Sequence, residues 1–429
     1  MITPLPGAGH VLLATDKFKG SLTAAEATSH LAAGLRRALP GLGIRAIPVA
    51  DGGEGTVDAA VEAGFARVLT RATGPTGEPI EAGFAVRGDT AVIEVAEASG
   101  LRRLPRGEAA PLSASSYGTG QLIRAALDAG CTRIILGLGG SACTDGGAGL
   151  VQALGARLLD DAGHELPPGG AALARLARIE LAGLAAIGEL IVACDVDNPL
   201  LGPNGAAAVY GPQKGATRED VALLDAALGN WSRVVQDAVQ DAVQDIGPGR
   251  GFRSGPGGRS ANGSAQENHL ATDQVLGTAA AGGTGLPVPD FAEAPGAGAA
   301  GGIGFAALAL LGARLEPGID IVLDLADFAA KAQGARLVIT GEGSLDPQSL
   351  RGKAPAGVAR AAARAGVPVV AVAGVCTLTP AELEAPGIRA AYTLSAIEPD
   401  LDRCVLDAGP LLEQLAADIA AATFDGAAL

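Results

Sequence analysis

The sequence predicts an α/β protein in which both chain ends form one doubly wound parallel-sheet domain and a mixed α+β domain is inserted between them. Three observations carry this. Short apolar runs alternate with Ala/Leu-rich helical runs near the N-terminus. The same alternation returns in the last third of the chain. The stretch between them opens on a hairpin-like pair and keeps a different rhythm.

Taken in order, His10–Thr15 (HVLLAT) reads as a strand, followed by a polar loop over 16–21. Thr23 and Glu26 have capping-box spacing and open a helix to about residue 39. Residues 43–50 (GIRAIPVA) are the next strand, and the Gly-rich turn 51–56 leads into a helix ending at 63. Strand, Gly-rich turn and helix, twice over, are the mark of a parallel sheet of Rossmann or flavodoxin type.

From about residue 73 the pattern changes. Residues 80–87 and 90–97 alternate as a hairpin around Gly88-Asp89. A helix over 118–129, the strand Arg133–Gly137, a glycine loop, a helix from 149 to 159 and a strand over 189–194 follow. Residues 220–245 form a long amphipathic helix. The tract 247–289 is rich in Gly, Ser, Pro and Ala without apolar periodicity, so it reads as a flexible insertion. The α/β alternation resumes with helices over 303–313, 355–365 and 410–421 and strands over 336–340, 367–372 and 389–394. The expected division is residues 1–72 with 293–429, and 73–292.

Composition narrows the function classes. Hydrophobic residues make up 48% of 429, enough for real cores, but aromatics are only 3% and the net charge is −15. A nucleic-acid or anionic-membrane binder needs a basic face, and single-stranded nucleic acid favours aromatic platforms. Both are excluded as expectations. The five cysteines lack CxxC spacing and the four histidines are isolated, so neither a disulfide framework nor a zinc cage is predicted. No signal peptide is read at the N-terminus, and within 296–313 only 303–311 is strongly apolar. The expectation is a cytoplasmic enzyme, monomer or homodimer.

The chemistry concentrates at strand ends. Asp16, Asp51 with Glu54, Asp195 with Asp197, and Glu342 with Asp346 all follow apparent strands. In an open α/β sheet such ends line the ligand crevice. Only five of 31 basic residues are Lys, and Lys17, Lys19 and Lys353 stand beside these acids. Where Arg is used almost everywhere else, a retained Lys marks a need for a compact ammonium. No GxxxxGK[ST] motif is present. A dinucleotide GxGxxG pattern matches 296–301 without a preceding strand, and 137–142 matches it after a strand, with Asp160 downstream. The second loop continues through Ser141, Thr144 and Asp145 among glycines, a composition better suited to phosphate and Mg²⁺. Acid, Lys and Gly together suit metal-assisted phosphoryl transfer to a small anion.

Five motifs then become recognisable: DKFKGSL at 16–22, PVADGGEGT at 48–56, GLGGSACTDGGAG at 137–149, CDVDNPLLGPNGA at 194–206, and TGEGSLDPQ at 340–348 with Gly352-Lys353. In order and over nearly the whole chain, they resemble the signatures of the type I glycerate kinases. Lys17 and Cys143 depart from the usual small residues without removing a charged position. The resemblance implies ATP- and Mg²⁺-dependent phosphorylation of D-glycerate, typically at the 2-hydroxyl, by a two-domain α/β protein with an inter-domain site. A kinase for another small hydroxy acid and a dinucleotide-binding oxidoreductase are the alternatives.

Chemistry suggests the roles. Asp195 is expected as the base, and Lys19, with the amides of Gly20 and Ser21, as an anion binder. Asp16, Asp51, Glu54, Gly139, Gly140, Ser141, Asn198 and Lys353 are expected to hold substrate or phosphate. Asp145, Glu342 and Asp346 are expected to hold Mg²⁺, with Asp51 and Glu54 sharing that duty.

Overall fold

The computed structural model describes residues 9–47, 49–50, 52–53, 55–105, 108–244, 289–350 and 352–424. Asp51, Glu54 and the tract 247–289, except for Pro289, lie outside the described residues. In chain order the strands are β1 (His10–Thr15), β2 (Gly43–Ala46), β3 (Ala66–Thr73), β4 (Pro79–Arg87), β5 (Thr90–Glu94), β6 (Arg133–Gly137), β7 (Arg157–Leu159), β8 (Arg178–Glu180), β9 (Glu189–Ala193), β10 (Arg314–Glu316), β11 (Ala335–Leu345), β12 (Val369–Cys376) and β13 (Ile388–Thr393).

The chain divides into two compact units, Met1–Phe65 with Pro317–Leu429, and Ala66–Glu316. These boundaries correct the division at 72 and 293. β3 pairs antiparallel with β4, and β10 pairs parallel with β9, so the sheet of the inserted unit reaches further along the chain at both ends.

The first unit holds a parallel sheet in the order β13-β12-β11-β1-β2. Alternation along β1 places Val11 and Leu13 in one core and Leu12 and Ala14 in another. The first core is closed by the helices Ala24–Ala38 and Ala408–Phe424, the second by Gly318–Leu325 and Ala354–Arg364. A sheet covered on both faces needs strands whose middle is apolar on both sides, as Val11–Ala14 is within HVLLAT. The capping box is present: the Thr23 hydroxyl accepts from the Glu26 amide, and the Glu26 carboxylate accepts from the Thr23 amide. The expected strand 43–50 is regular only over β2. The Ile47 and Val49 amides still reach the Leu13 and Thr15 carbonyls, so the chain stays extended along β1.

The second unit has a mixed sheet, β10-β9-β6-β5-β4-β3, parallel from β10 to β5 and antiparallel beyond. Two expectations are corrected here. The second hairpin strand stops at Glu94, and residues 95–99 form a helix, because a parallel partner, β6, ends beside it at Gly137. The helix expected over 149–159 is Ala148–Ala153, ended by the positive-φ turn at Gly155, and β7 follows. The core centres on buried Trp231 of the long helix Arg218–Gln244. Its indole packs edge-on against Phe305 at 6.3 Å and donates to the Gly146 carbonyl at 3.0 Å.

Candidate active site

In the first unit the parallel ladder sets Thr15 opposite Gly341, and the Asp16 amide bonds the Gly341 carbonyl at 2.9 Å. Asp16 is thereby drawn level with Glu342 on the neighbouring strand. The residue is 6% exposed, and its carboxyl accepts from the Lys17 amide at 2.6 Å, with the Lys17 ammonium 3.9 Å away. Residues 18–22 then close a tight turn: the Phe18 amide bonds the Leu22 carbonyl, and the Ser21 amide bonds the Phe18 carbonyl at 2.9 Å. Gly20 supplies φ +83° at its tip, beside exposed Lys19. The backbone of the turn lies against Gly343, where an added Cβ would stand 3.3 Å from the Lys19 main-chain nitrogen. Asp16, Lys19 and Glu342 are therefore gathered at one sheet edge.

Ser21 does not fit the anion-binding role expected of it. Its amide closes the turn, and its hydroxyl donates to the Val405 carbonyl at 2.8 Å. Asp346 stands just past the end of β11, where its Oδ1 accepts from the Gln348 and Ser349 amides. That pins the carboxylate and leaves Oδ2 for a ligand. Lys353 occupies the N-cap position of Ala354–Arg364, with no side-chain cap bond.

In the second unit β5, β6 and β9 run parallel side by side, with Glu94, Gly137 and Ala193 in register at their C-terminal ends. The loops holding Gly139–Gly140–Ser141 and Asp195 leave from this edge, and Asp195 is exposed. The glycine turn is held by the Leu101 amide on the Gly140 carbonyl and the Ala142 amide on the Ser99 carbonyl.

Two further roles are corrected here. Asp145, expected on Mg²⁺, is wholly buried. Its Oδ2 accepts from the Ser116 amide and hydroxyl at 2.8 and 2.9 Å, from the Gly149 amide at 3.2 Å and from the Ser115 hydroxyl at 3.4 Å, while Oδ1 accepts from the Gly147 amide at 3.2 Å. A carboxylate so enclosed braces the loop against the helix Tyr117–Asp128 and does not fit a metal. Asn198, expected on substrate, donates to the Asn204 carbonyl and accepts from the Tyr210 hydroxyl at 2.6 Å, so its amide shapes its own loop. Among the described residues no group of three or more His, Cys, Asp or Glu is placed to hold a metal ion. Of the carboxylates expected on Mg²⁺, Asp346 fits best, because a magnesium site needs only one or two of them beside substrate phosphates.

Two residues were given no site role by the sequence: Glu94, and Lys214, one of the five scarce lysines. Glu94 ends β5 buried, a strand-end carboxylate hidden by running the strand to 97. Lys214 is 3% exposed, and its ammonium donates to the Ser141 hydroxyl at 3.0 Å and the Cys143 carbonyl at 2.5 Å. Its rarity among the basic residues was the available signal. Burial lowers the Lys214 pKa, partly offset by Cys143 and Asp145. Burial, with Asp145 adding to it, pushes the Cys143 thiol well above its usual range, so this cysteine is an inert packing group.

The dinucleotide alternative does not survive. The helix after the 137–142 match starts only at Ala148, so no helix N-terminus meets the glycines, and Asp160 caps a surface turn by accepting from the Ala162 and His164 amides. Among the described residues no helix is long and apolar enough to cross a membrane.

Comparison with known proteins agrees with this. The profile of the glycerate kinase family matches residues 11–424. A Bacillus subtilis protein named glycerate kinase is 42% identical, covering 96% of this chain and 97% of its own. An Escherichia coli protein named glycerate 2-kinase is 39% identical over 90% of each chain. A solved Salmonella typhimurium structure, provisionally named glycerate kinase 2, superposes with a TM-score of 0.72 at 38% identity, covering 97% of this chain and 99% of its own.

Proposed function

We propose that this chain, which belongs to the glycerate kinase family, transfers the terminal phosphoryl group of ATP to the 2-hydroxyl of D-glycerate, giving 2-phosphoglycerate and ADP. The observation that carries the reading is the gathering of Asp16, Lys19 and Glu342 at the C-terminal edge of one parallel sheet, and of the glycine turn and Asp195 at that of the other. Strand ends of this kind are where α/β enzymes bind small anions.

In this reading Asp195 accepts the proton of the substrate hydroxyl as that oxygen bonds to the terminal phosphorus and the bond to ADP breaks. Lys19, at the tip of its turn, attracts the carboxylate or the transferring phosphoryl group. Gly139, Gly140 and Ser141 let phosphate oxygens approach the backbone closely. Lys353 adds positive charge at the start of its helix. Asp346, with Glu342, would hold Mg²⁺, whose contribution is to neutralise charge on the phosphate oxygens.

The test is incubation with ATP, Mg²⁺ and D-glycerate, following ADP release, with phosphorus NMR of the product. A 2-phosphate signal is expected, and a clean 3-phosphate signal would reject the assigned hydroxyl. A panel of small hydroxy acids in the same assay separates D-glycerate from its analogues.

A further inference from the structure

Lys214 owes its position to local sequence. In Gly211-Pro-Gln-Lys-Gly215, Pro212 starts a single 3-10 turn and Gly215, at φ +90°, ends it, which turns the lysine inward. Two of the three ammonium protons are bound, by the Ser141 hydroxyl and the Cys143 carbonyl. Among the described residues no carboxylate lies within ion-pair distance of it, and Asp145 acts on it only from beyond that range. A buried ammonium without a counterion is costly, and a bound anion would remove that cost.

The same lysine lines a pocket of about 510 Å³. Leu101, Leu104, Pro105 and Pro212 supply apolar walls, and Arg102, Glu108 and Gln213 supply polar groups. The volume lies within the ~300–1,000 Å³ of small-molecule sites. A three-carbon hydroxy acid would fill little of it and has no use for apolar walls. A nucleoside does: the walls suit a base, and Glu108 can accept from ribose hydroxyls. The segment that forms one wall is also hydrogen-bonded to the glycine turn, through the Leu101 amide and the Gly140 carbonyl at 2.9 Å.

We infer that this pocket is the nucleotide subsite, taking the nucleoside of a nucleoside triphosphate between Leu101, Leu104, Pro105 and Pro212, with Lys214 and the Gly139–Gly140–Ser141 turn on its phosphates. The inference rests on the kinase reading above and adds to it where the donor binds and which cation receives it.

The experiment uses the full chain and two variants. Lys214→Met removes the charge at similar length. Ala109→Trp fills the pocket from an exposed position on its lining and leaves the buried loop untouched. ADP binding by calorimetry and KM values for ATP and D-glycerate are measured for each. Both variants should weaken ADP binding and raise KM for ATP by at least about tenfold, the scale of one charge-assisted contact or one blocked pocket, with KM for D-glycerate within about twofold. Unchanged ADP affinity in Ala109→Trp overturns the inference. So does a rise confined to KM for D-glycerate, which would make this the substrate's pocket. A wild-type chain that binds ADP, loses it in both variants, yet phosphorylates no hydroxy acid upholds the subsite and overturns the reaction instead.

Discussion

Asp145→Asn separates a loop brace from a metal ligand. The substitution keeps the shape and one oxygen. That oxygen would settle at the Oδ2 position, where four hydrogen bonds arrive, so the new NH₂ group would face the Gly147 amide now served by Oδ1. One accepted bond becomes a donor–donor contact, the buried Gly147 amide loses its partner, and the remaining bonds lose their charge assistance. Hydrogen bonds to a charged group contribute about 1.5–3 kcal/mol, and an unsatisfied buried donor costs about 1–3 kcal/mol. The expected loss is therefore roughly 3 kcal/mol from the unit Ala66–Glu316. At about 2–4 °C per kcal/mol for a unit of this size, its transition should fall by roughly 6–12 °C. Calorimetry resolves this, with turnover then measured well below the lowered transition, where the brace reading expects most activity to remain. If the transition is unmoved while Mg²⁺-dependent turnover collapses, Asp145 is a metal ligand and the reasoning from its hydrogen bonds fails.

Lys19→Arg should lower kcat/KM for D-glycerate at least about tenfold, roughly 1.4 kcal/mol, because a planar guanidinium does not reproduce a point charge at the tip of a tight turn. Lys331→Arg, in the helix Phe328–Ala332 away from the strand-end motifs, is its control and should match wild type; equal, negligible effects at both would sink the argument. Asp195→Asn should reduce turnover by about 10²-fold or more with the melting transition unchanged, and retention within a few-fold would make it a turn residue. The Glu413 carboxyl is held below its ordinary value by the His30 hydrogen bond first and by Arg37 second. Its folded pKa is depressed, so its contribution is present above the unfolded value of about 4.3 and is lost as pH falls through the lower folded value. Denaturation midpoints of wild type and Glu413→Gln should thus differ at neutral pH and converge as the pH falls through that depressed folded value; a gap that persists once the carboxyl is fully protonated would mean the carboxylate charge is not what stabilises the pair.

The outer α/β unit could be read from sequence because its determinants are local. HVLLAT is apolar on both faces, Thr23 and Glu26 meet within one turn, and Gly20 answers to the backbone of its own turn. The motif order, with carboxylates after four of the expected strands, likewise pointed to the chemistry of the strand ends. What a residue does there was decided by tertiary structure. Asp16 and Asp145 are both carboxylates in loops after strands, yet one reaches a sheet edge beside Glu342, and the other is closed over by donors from Ser116, at the N-cap of a helix about thirty residues away in sequence. Lys214 showed the reverse. Its spacing from Ser141 and Cys143 obeys no helical or strand period, so nothing in one dimension announces that its ammonium lies buried between them. Strand register and loop closure bring such groups together across long sequence separations, and both depend on which apolar faces pack. Composition and periodicity show that such faces exist, but which ones meet is settled only when the sheets assemble.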